Sequence, residues 1–247
     1  MKKIIFLINF IFLSMITFSA NFSVAPTRFE VELGKVTTNE VYVVNNTSNP
    51  LRIETYVESD KNFGEKYNLN SDIVVFPKKI AIKAGGTQIV RFRVKPNPNM
   101  PDGELKSYIN FSEVPEEIKN VNSEGKGTEK SGSNISIVTE LGVPVYGYKG
   151  EQIIKGDFKN ISVKTKGRSM IITGDSESFG NTSLKFSYEI TPAKGEALEG
   201  GMSMSAREGK KKISVGLTIP KNFMGQKIKI VIKDQLGKVY YKSEKQL

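Results

Sequence analysis

The stretch that decides the fold is residues 133–146, S-N-I-S-I-V-T-E-L-G-V-P-V-Y, where every second residue from position 135 is Ile135, Ile137, Thr139, Leu141, Val143 and Val145. A period of two marks one face of a β-strand, because successive side chains point to opposite sides. A strand with one face this apolar either fills the core of its own sandwich or offers that face to a partner. Two features favour the second use. The segment before it, K-N-V-N-S-E-G-K-G-T-E-K-S-G-S at residues 119–133, holds no large apolar residue beyond Val121 and has little with which to join a core. The leading half, residues 135–139, also lacks the charge or proline that blunts an exposed edge, whereas Glu140, Gly142 and Pro144 disturb only the trailing half.

Outward from this stretch the same alternation recurs in runs bounded by Gly, Pro, Asn and Asp, and no segment keeps helical spacing for long. The class is all-β. Strands are expected near Thr27 to Leu33, Glu40 to Val44, Leu51 to Val57, Lys79 to Ile82, Gln88 to Val94, Leu105 to Val114 and Asn134 to Tyr146, a set that makes one immunoglobulin-like sandwich. Asn45-Asn46-Thr47-Ser48-Asn49-Pro50 interrupts one strand, Ala84-Gly85-Gly86 is a tight turn into another, and Pro96 and Pro98 end it. The pattern pauses at Tyr146-Gly147-Tyr148-Lys149-Gly150. A second set of runs follows near Ile161 to Val163, Ser169 to Thr173, Ser183 to Ile190, Lys212 to Leu217, Lys227 to Lys233 and Lys238 to Tyr241, with Asp234-Gln235-Leu236-Gly237 as the turn of a last hairpin. The expected organisation is therefore two immunoglobulin-like β-sandwich domains in tandem after a signal peptide: 1–20 signal, 21–150 first sandwich, 151–247 second sandwich.

The signal is read from Met1-Lys2-Lys3, the mostly apolar run Ile4 to Ile16, and Thr17-Phe18-Ser19-Ala20, with the cut after Ser19 or Ala20. Export follows. The apolar run is short for a membrane span and no later stretch approaches the length one needs, so no stable membrane insertion is expected after cleavage.

The chain has neither His nor Cys. Disulfides, thiolate or imidazole metal sites, Ser-His-Asp triads and Cys-His dyads are excluded, and the cores must hold the fold unaided. The remaining carboxylate pairs, Glu116-Glu117 and Asp175 with Glu177, sit in polar, turn-like stretches where solvated side chains are the ordinary outcome. No enzyme and no cofactor are expected. Residues 21–150 hold 16 basic and 16 acidic side chains, while residues 151–247 hold 18 basic and 10 acidic, so the positive excess lies in the second half. Scattered lysines on outward strand positions account for it, and without a basic, aromatic-interleaved platform nucleic acid is not a partner.

In order along the chain, Pro26-Thr27-Arg28, Ala84-Gly85-Gly86 before Val90-Arg91-Phe92-Arg93-Val94, and Tyr108-Ile109-Asn110-Phe111-Ser112-Glu113-Val114-Pro115 ahead of the polar segment and the alternating strand resemble the periplasmic pilus-assembly chaperones of the chaperone-usher pathway. Ser178-Phe179-Gly180-Asn181-Thr182 resembles the Gly-Asn turn of that family's second domain. The resemblance implies a periplasmic chaperone that caps incomplete exported pilus or fimbrial subunits by donating a strand, for delivery to an outer-membrane usher. On this resemblance Ile135, Ile137, Thr139 and Leu141 enter the subunit's groove, and Arg28 anchors the subunit's terminal carboxylate. The family's second anchoring cation, a Lys, is missing: the matching frames place Gly142, Val143 or Pro144 there, and Lys149 is a possible replacement. The alternative is a non-chaperone exported immunoglobulin-like protein that binds a cell-envelope component through its lysine-rich second half. A structural pilus subunit fits less well, because residues 21–26 are too short a lead-in for a donor extension. An apolar free edge also favours self-association.

Overall fold

The computed structural model describes residues 20–115 and 138–247, and Ile135 and Ile137 lie outside them. The described residues of the first half form nine strands: β1 (Phe22–Ala25), β2 (Phe29–Glu32), β3 (Thr37–Asn45), β4 (Leu51–Ser59), β5 (Ile73–Phe76), β6 (Lys79–Ile82), β7 (Thr87–Val94), β8 (Gly103–Glu113) and β9 (Glu140–Lys149). They build two facing sheets, β1-β3-β7-β5 and β2-β9-β8-β4-β6. Alternation explains why. In β7 Val90, Phe92 and Val94 are buried while Arg91 and Arg93 are exposed, and β4 buries Leu51, Ile53 and Thr55 between exposed neighbours. Phe29 meets Phe92 edge to face across the two sheets at 4.8 Å between ring centres.

The second half adds β10 (Gly156–Lys166), β11 (Ser169–Ser178), β12 (Lys185–Pro192), β13 (Leu198–Met204), β14 (Gly209–Thr218), β15 (Lys227–Asp234) and β16 (Val239–Gln246), in sheets β10-β11-β14 and β13-β12-β15-β16. Ile228, Ile230 and Ile232 of β15 are fully buried, and Phe158 stacks on Phe186 with ring centres 4.5 Å apart. Each half has its own apolar core. The chain is all-β, two immunoglobulin-like sandwiches in tandem.

Several boundaries differ from the sequence-based expectation. The expected run Thr27 to Leu33 contains β2, but a further strand, β1, precedes it, and the chain changes sheets between the two. β1 pairs antiparallel with β3, and after Pro26 the chain crosses so that β2 pairs parallel with β9. A proline has no N–H to continue a ladder, so a crossing there interrupts no pairing. β5 escaped notice because I-V-V-F shows no alternation, yet it buries Ile73 and Val75 and exposes Val74 and Phe76. β13 was missed because Gly200-Gly201 argues against a strand. At Gly200 a Cβ would stand 2.3 Å from the Tyr188 hydroxyl, so the neighbouring strand occupies the space a side chain needs. The last hairpin is as expected: Gly237 has φ 84°, and the Asp234 carboxylate accepts the N–H groups of Leu236 and Lys238 at 2.9 and 3.0 Å.

Candidate functional site: the edge of β9 and the cleft between the sandwiches

Strand β9 pairs antiparallel with β8 over Glu140–Lys149 on one side. On its other side β2 pairs only with Val145–Tyr148. Among the described residues, residues 140–144 therefore have a strand neighbour on one side only. Val143 and Val145 are buried in the first core and Leu141 packs partly against it. Thr139, next in the same row, is half-buried like Leu141, and its carbonyl accepts the Glu113 N–H at 2.9 Å. Leu141 thus stands at the rim of the core and Thr139 just beyond it. Their neighbour Val138 is exposed.

The opposite face of β9 looks toward the second sandwich. Register aligns Glu30 with Tyr146 and Tyr146 with Lys106, then Glu32 with Tyr148 and Tyr148 with Glu104. Two rows of polar and aromatic side chains therefore cross three strands. The Arg28 guanidinium carbon lies 4.1 Å from the centre of the Tyr146 ring, and the Lys106 ammonium lies 5.1 Å from the same centre. Arg28 donates to the Glu30 carboxylate. Burial works against the Arg28 charge, but Tyr146, Glu30 and Tyr148 outweigh it and raise its pKa.

Lys106 is nearly buried and donates to Asp60 at 2.6 Å and to the Tyr108 hydroxyl at 2.9 Å. Burial opposes its charge, yet the hydrogen bonds to Asp60 and Tyr108 raise its pKa. Asp60 is held below the ordinary carboxylate value: burial pushes it up, and Lys106 more than reverses that. Burial, followed by the charges of Glu104 and Glu30, pushes the Tyr148 phenol up.

The second sandwich closes the cleft through the Ser178-to-Thr182 turn and the connection between β13 and β14, which carries Arg207. Asn181 accepts the Ile153 N–H at its Oδ1 (2.7 Å) and donates its Nδ2 to the Glu151 carbonyl (2.9 Å), which pins the turn to the chain leaving the first sandwich. Its own carbonyl accepts the Glu104 N–H at 2.8 Å and Arg207 Nε at 3.0 Å. Arg207, almost fully buried, also donates to the Asp102 carbonyl, and its guanidinium lies 3.5 Å from the centre of the Tyr67 ring. Desolvation lowers its pKa. Lys185, at the start of β12, reaches back to Glu30 at 3.6 Å and to the Tyr148 hydroxyl at 3.5 Å.

The candidate Lys149 does not face Arg28. It shares the parity of Val143 and Val145 rather than that of Tyr146 and Tyr148, and its ammonium is spent on the carbonyls of Pro98 (2.8 Å) and Met100 (2.5 Å). Alternation alone would have removed it. The cleft residues passed over in the sequence are Glu30, Lys106 and Lys185. Tyr146, Tyr148 and Lys106 carried a signal, large polar side chains on the outward parity of their strands. Lys185 carried none, because only the packing of the two halves brings it to β2.

Among the described residues no group of three or more His, Cys, Asp or Glu side chains converges as a metal site would require. The cleft contains cations, phenols and paired carboxylates, a set suited to holding an anion.

Residues 21–145 match the family model described as pili and flagellar-assembly chaperone, PapD N-terminal domain. No curated protein sequence matches the chain. Among solved structures, the periplasmic chaperone SfaE is 13% identical over 92% of this chain and 100% of its own, with a TM-score of 0.48. The E. coli chaperone DraB is 13% identical over 92% and 99%, at 0.45. A structure of Salmonella enterica SafA pilin in complex with the SafB chaperone matches at 13% identity over 94% and 98%, at 0.43.

Proposed function

This chain belongs to the family of pili and flagellar-assembly chaperones, and on that premise we propose that it caps incomplete exported subunits by lending them the leading half of its alternating strand. It is a chaperone and not an enzyme. The observation that carries the reading is the one-sided pairing of β9 at residues 140–144, next to the cleft that holds Arg28. A strand entering there gains main-chain hydrogen bonds from the open edge and specificity from alternate side chains.

In this reading Ile135, Ile137, Thr139 and Leu141 enter the subunit's groove, with Leu141 at the rim of the first core. Each apolar side chain buried there contributes roughly 1.5–3 kcal/mol before ordering costs, which suits a grip that is firm and still exchangeable. Arg28 holds the subunit's terminal carboxylate. The subunits are pilus or fimbrial proteins, the destination is an outer-membrane usher, and no cofactor takes part. The chain divides into a signal peptide at 1–20, a subunit-binding sandwich at 21–150 and a second sandwich at 151–247, and the signal brings it to the periplasm. In support, among the described residues no helix is long and apolar enough to cross a membrane.

The test is the double variant Ile135→Asp, Ile137→Asp, purified from the periplasm with the small exported proteins that accompany the wild type. The expected result is loss of those proteins with unchanged circular dichroism and melting temperature. Undiminished co-purification, or a variant that unfolds, overturns the assignment of this strand.

A further inference from the structure

One oxygen in the cleft receives two cations. Glu30 Oε1 is the atom that pairs with the Arg28 guanidinium and the atom that stands 3.6 Å from the Lys185 ammonium. Arg28 and Glu30 belong to the first sandwich, where Arg28 sits at the mouth of β2 and rests on the Tyr146 ring. Lys185 opens β12 of the second sandwich and is steadied by the Tyr148 hydroxyl at 3.5 Å. The three side chains remain 39%, 50% and 37% exposed, in the order Arg28, Glu30, Lys185, so the carboxylate they share is reachable from solvent.

We propose that Lys185 is the second cation of the carboxylate anchor and that Glu30 is an internal surrogate, occupying the anchor until an incoming chain-terminal carboxylate displaces it. This rests on the anchor assigned to Arg28 above. A terminal carboxylate has the charge and the two acceptor oxygens of the Glu30 side chain, so the exchange is ion for ion and leaves neither cation unpaired. If Glu30 stayed in place, two carboxylates would share one clamp and repel at close range. Tethered two residues from Arg28, Glu30 competes at high effective concentration and keeps the anchor from holding stray anions. The arrangement also makes the anchor a property of both sandwiches. Arg28, lying on the Tyr146 ring, provides a planar donor fork, and Lys185 provides a point charge that is in place only while the second sandwich is docked.

The competing charges nearby are already committed. Lys106 is paired with Asp60 at 2.6 Å, and Glu104 accepts Ser183 at 2.6 and 2.8 Å, so neither substitutes for the Arg28–Glu30–Lys185 set.

The experiment uses the full mature chain and two acetylated hexapeptides of alternating Thr and Val, one ending in a free carboxylate and one in an amide, with binding followed by the NMR signal of Arg28 Nε–Hε. The expected result is that the wild type prefers the free carboxylate. Lys185→Gln weakens that peptide by about three- to fivefold, Glu30→Gln tightens it by a similar factor, and the amide is unmoved by either. Lys185→Arg restores the wild-type preference. If the preference depends on Arg28 but is unchanged in both Lys185→Gln and Glu30→Gln, the surrogate and the second cation are overturned while the Arg28 anchor stands. If both peptides bind alike, or neither shifts the Arg28 signal at millimolar concentration, the Arg28 anchor itself is overturned.

Discussion

The Glu104 carboxylate of the first sandwich accepts both the backbone N–H and the hydroxyl of Ser183 in the second, at 2.8 and 2.6 Å, and both residues are fully buried. One acid thus joins the two halves through paired, charge-assisted hydrogen bonds. Ser183→Ala removes the shorter bond and leaves a buried carboxylate oxygen with one donor fewer. The expected cost is about 1.5–3 kcal/mol. Urea unfolding gives the stability change, and X-ray scattering shows a broader distribution of distances between the sandwiches.

Gly103 begins β8 with φ 101°, and a Cβ there would stand 2.2 Å from the Asn181 carbonyl oxygen of the second sandwich. Both the backbone conformation and the contact demand glycine. Gly103→Ala is expected to cost at least about 1–3 kcal/mol from backbone strain alone, and to open the cleft by pushing Asn181 away from Glu104 and Arg207. Amide exchange at Glu104, whose N–H donates to Asn181 O at 2.8 Å, reports the opening directly. Slow exchange in the variant would contradict it.

The Lys106–Asp60 pair predicts opposite pH dependences for its two members. The Asp60 pKa is lowered on folding, so its contribution is present above the ordinary aspartate value and is lost as pH falls through the depressed one. The Lys106 pKa is raised, so its contribution is complete below the ordinary lysine value and is lost as pH rises through the elevated one. Lys106→Met leaves Asp60 buried without its partner and is expected to cost about 3–5 kcal/mol near neutral pH. Urea unfolding of wild type and Asp60→Asn between about pH 2 and pH 7 should show the stability gap between them closing at the acid end.

Asn45, at the end of β3, is buried and donates its side-chain amide toward three carbonyls, those of Asn49 (2.7 Å), Ile82 (3.2 Å) and Lys83 (3.1 Å). Its Oδ1 accepts the Thr47 N–H at 2.9 Å. One side chain thus binds the 45–50 turn to the 82–86 turn. Asn45→Ala is expected to destabilise by about 2–3 kcal/mol, because the carbonyls stay buried after their donor is gone. Thermal unfolding measures it, and Asn45→Asp should be no milder, since a carboxylate offers those carbonyls no donor.

The strands legible in the sequence were those whose one buried face repeats every two residues, such as Val90-Arg91-Phe92-Arg93-Val94 in β7. β5 and β13 were illegible for opposite reasons. I-V-V-F is apolar throughout and shows no period, while Gly200-Gly201 carries no side chain to show one. The candidate site was half legible. Arg28, read from its Thr-Arg context, lies in the cleft against Tyr146, and Leu141, read from alternation, packs at the rim of the first core, whereas Lys149 has the opposite parity to Tyr146 and bonds the carbonyls of Pro98 and Met100.

By itself the sequence determined the all-β class, the exclusion of His and Cys chemistry, and the parity that turns Leu141, Val143 and Val145 to one side of β9 and Tyr146 and Tyr148 to the other. These follow from composition and from a two-residue repeat, which are local. Only the tertiary structure decided which strands flank β9, that β2 stops short of residues 140–144, and that Lys185, far along the chain, meets Glu30 beside Arg28. Pairing partners and the docking of two sandwiches depend on contacts between distant residues, and no local period records them.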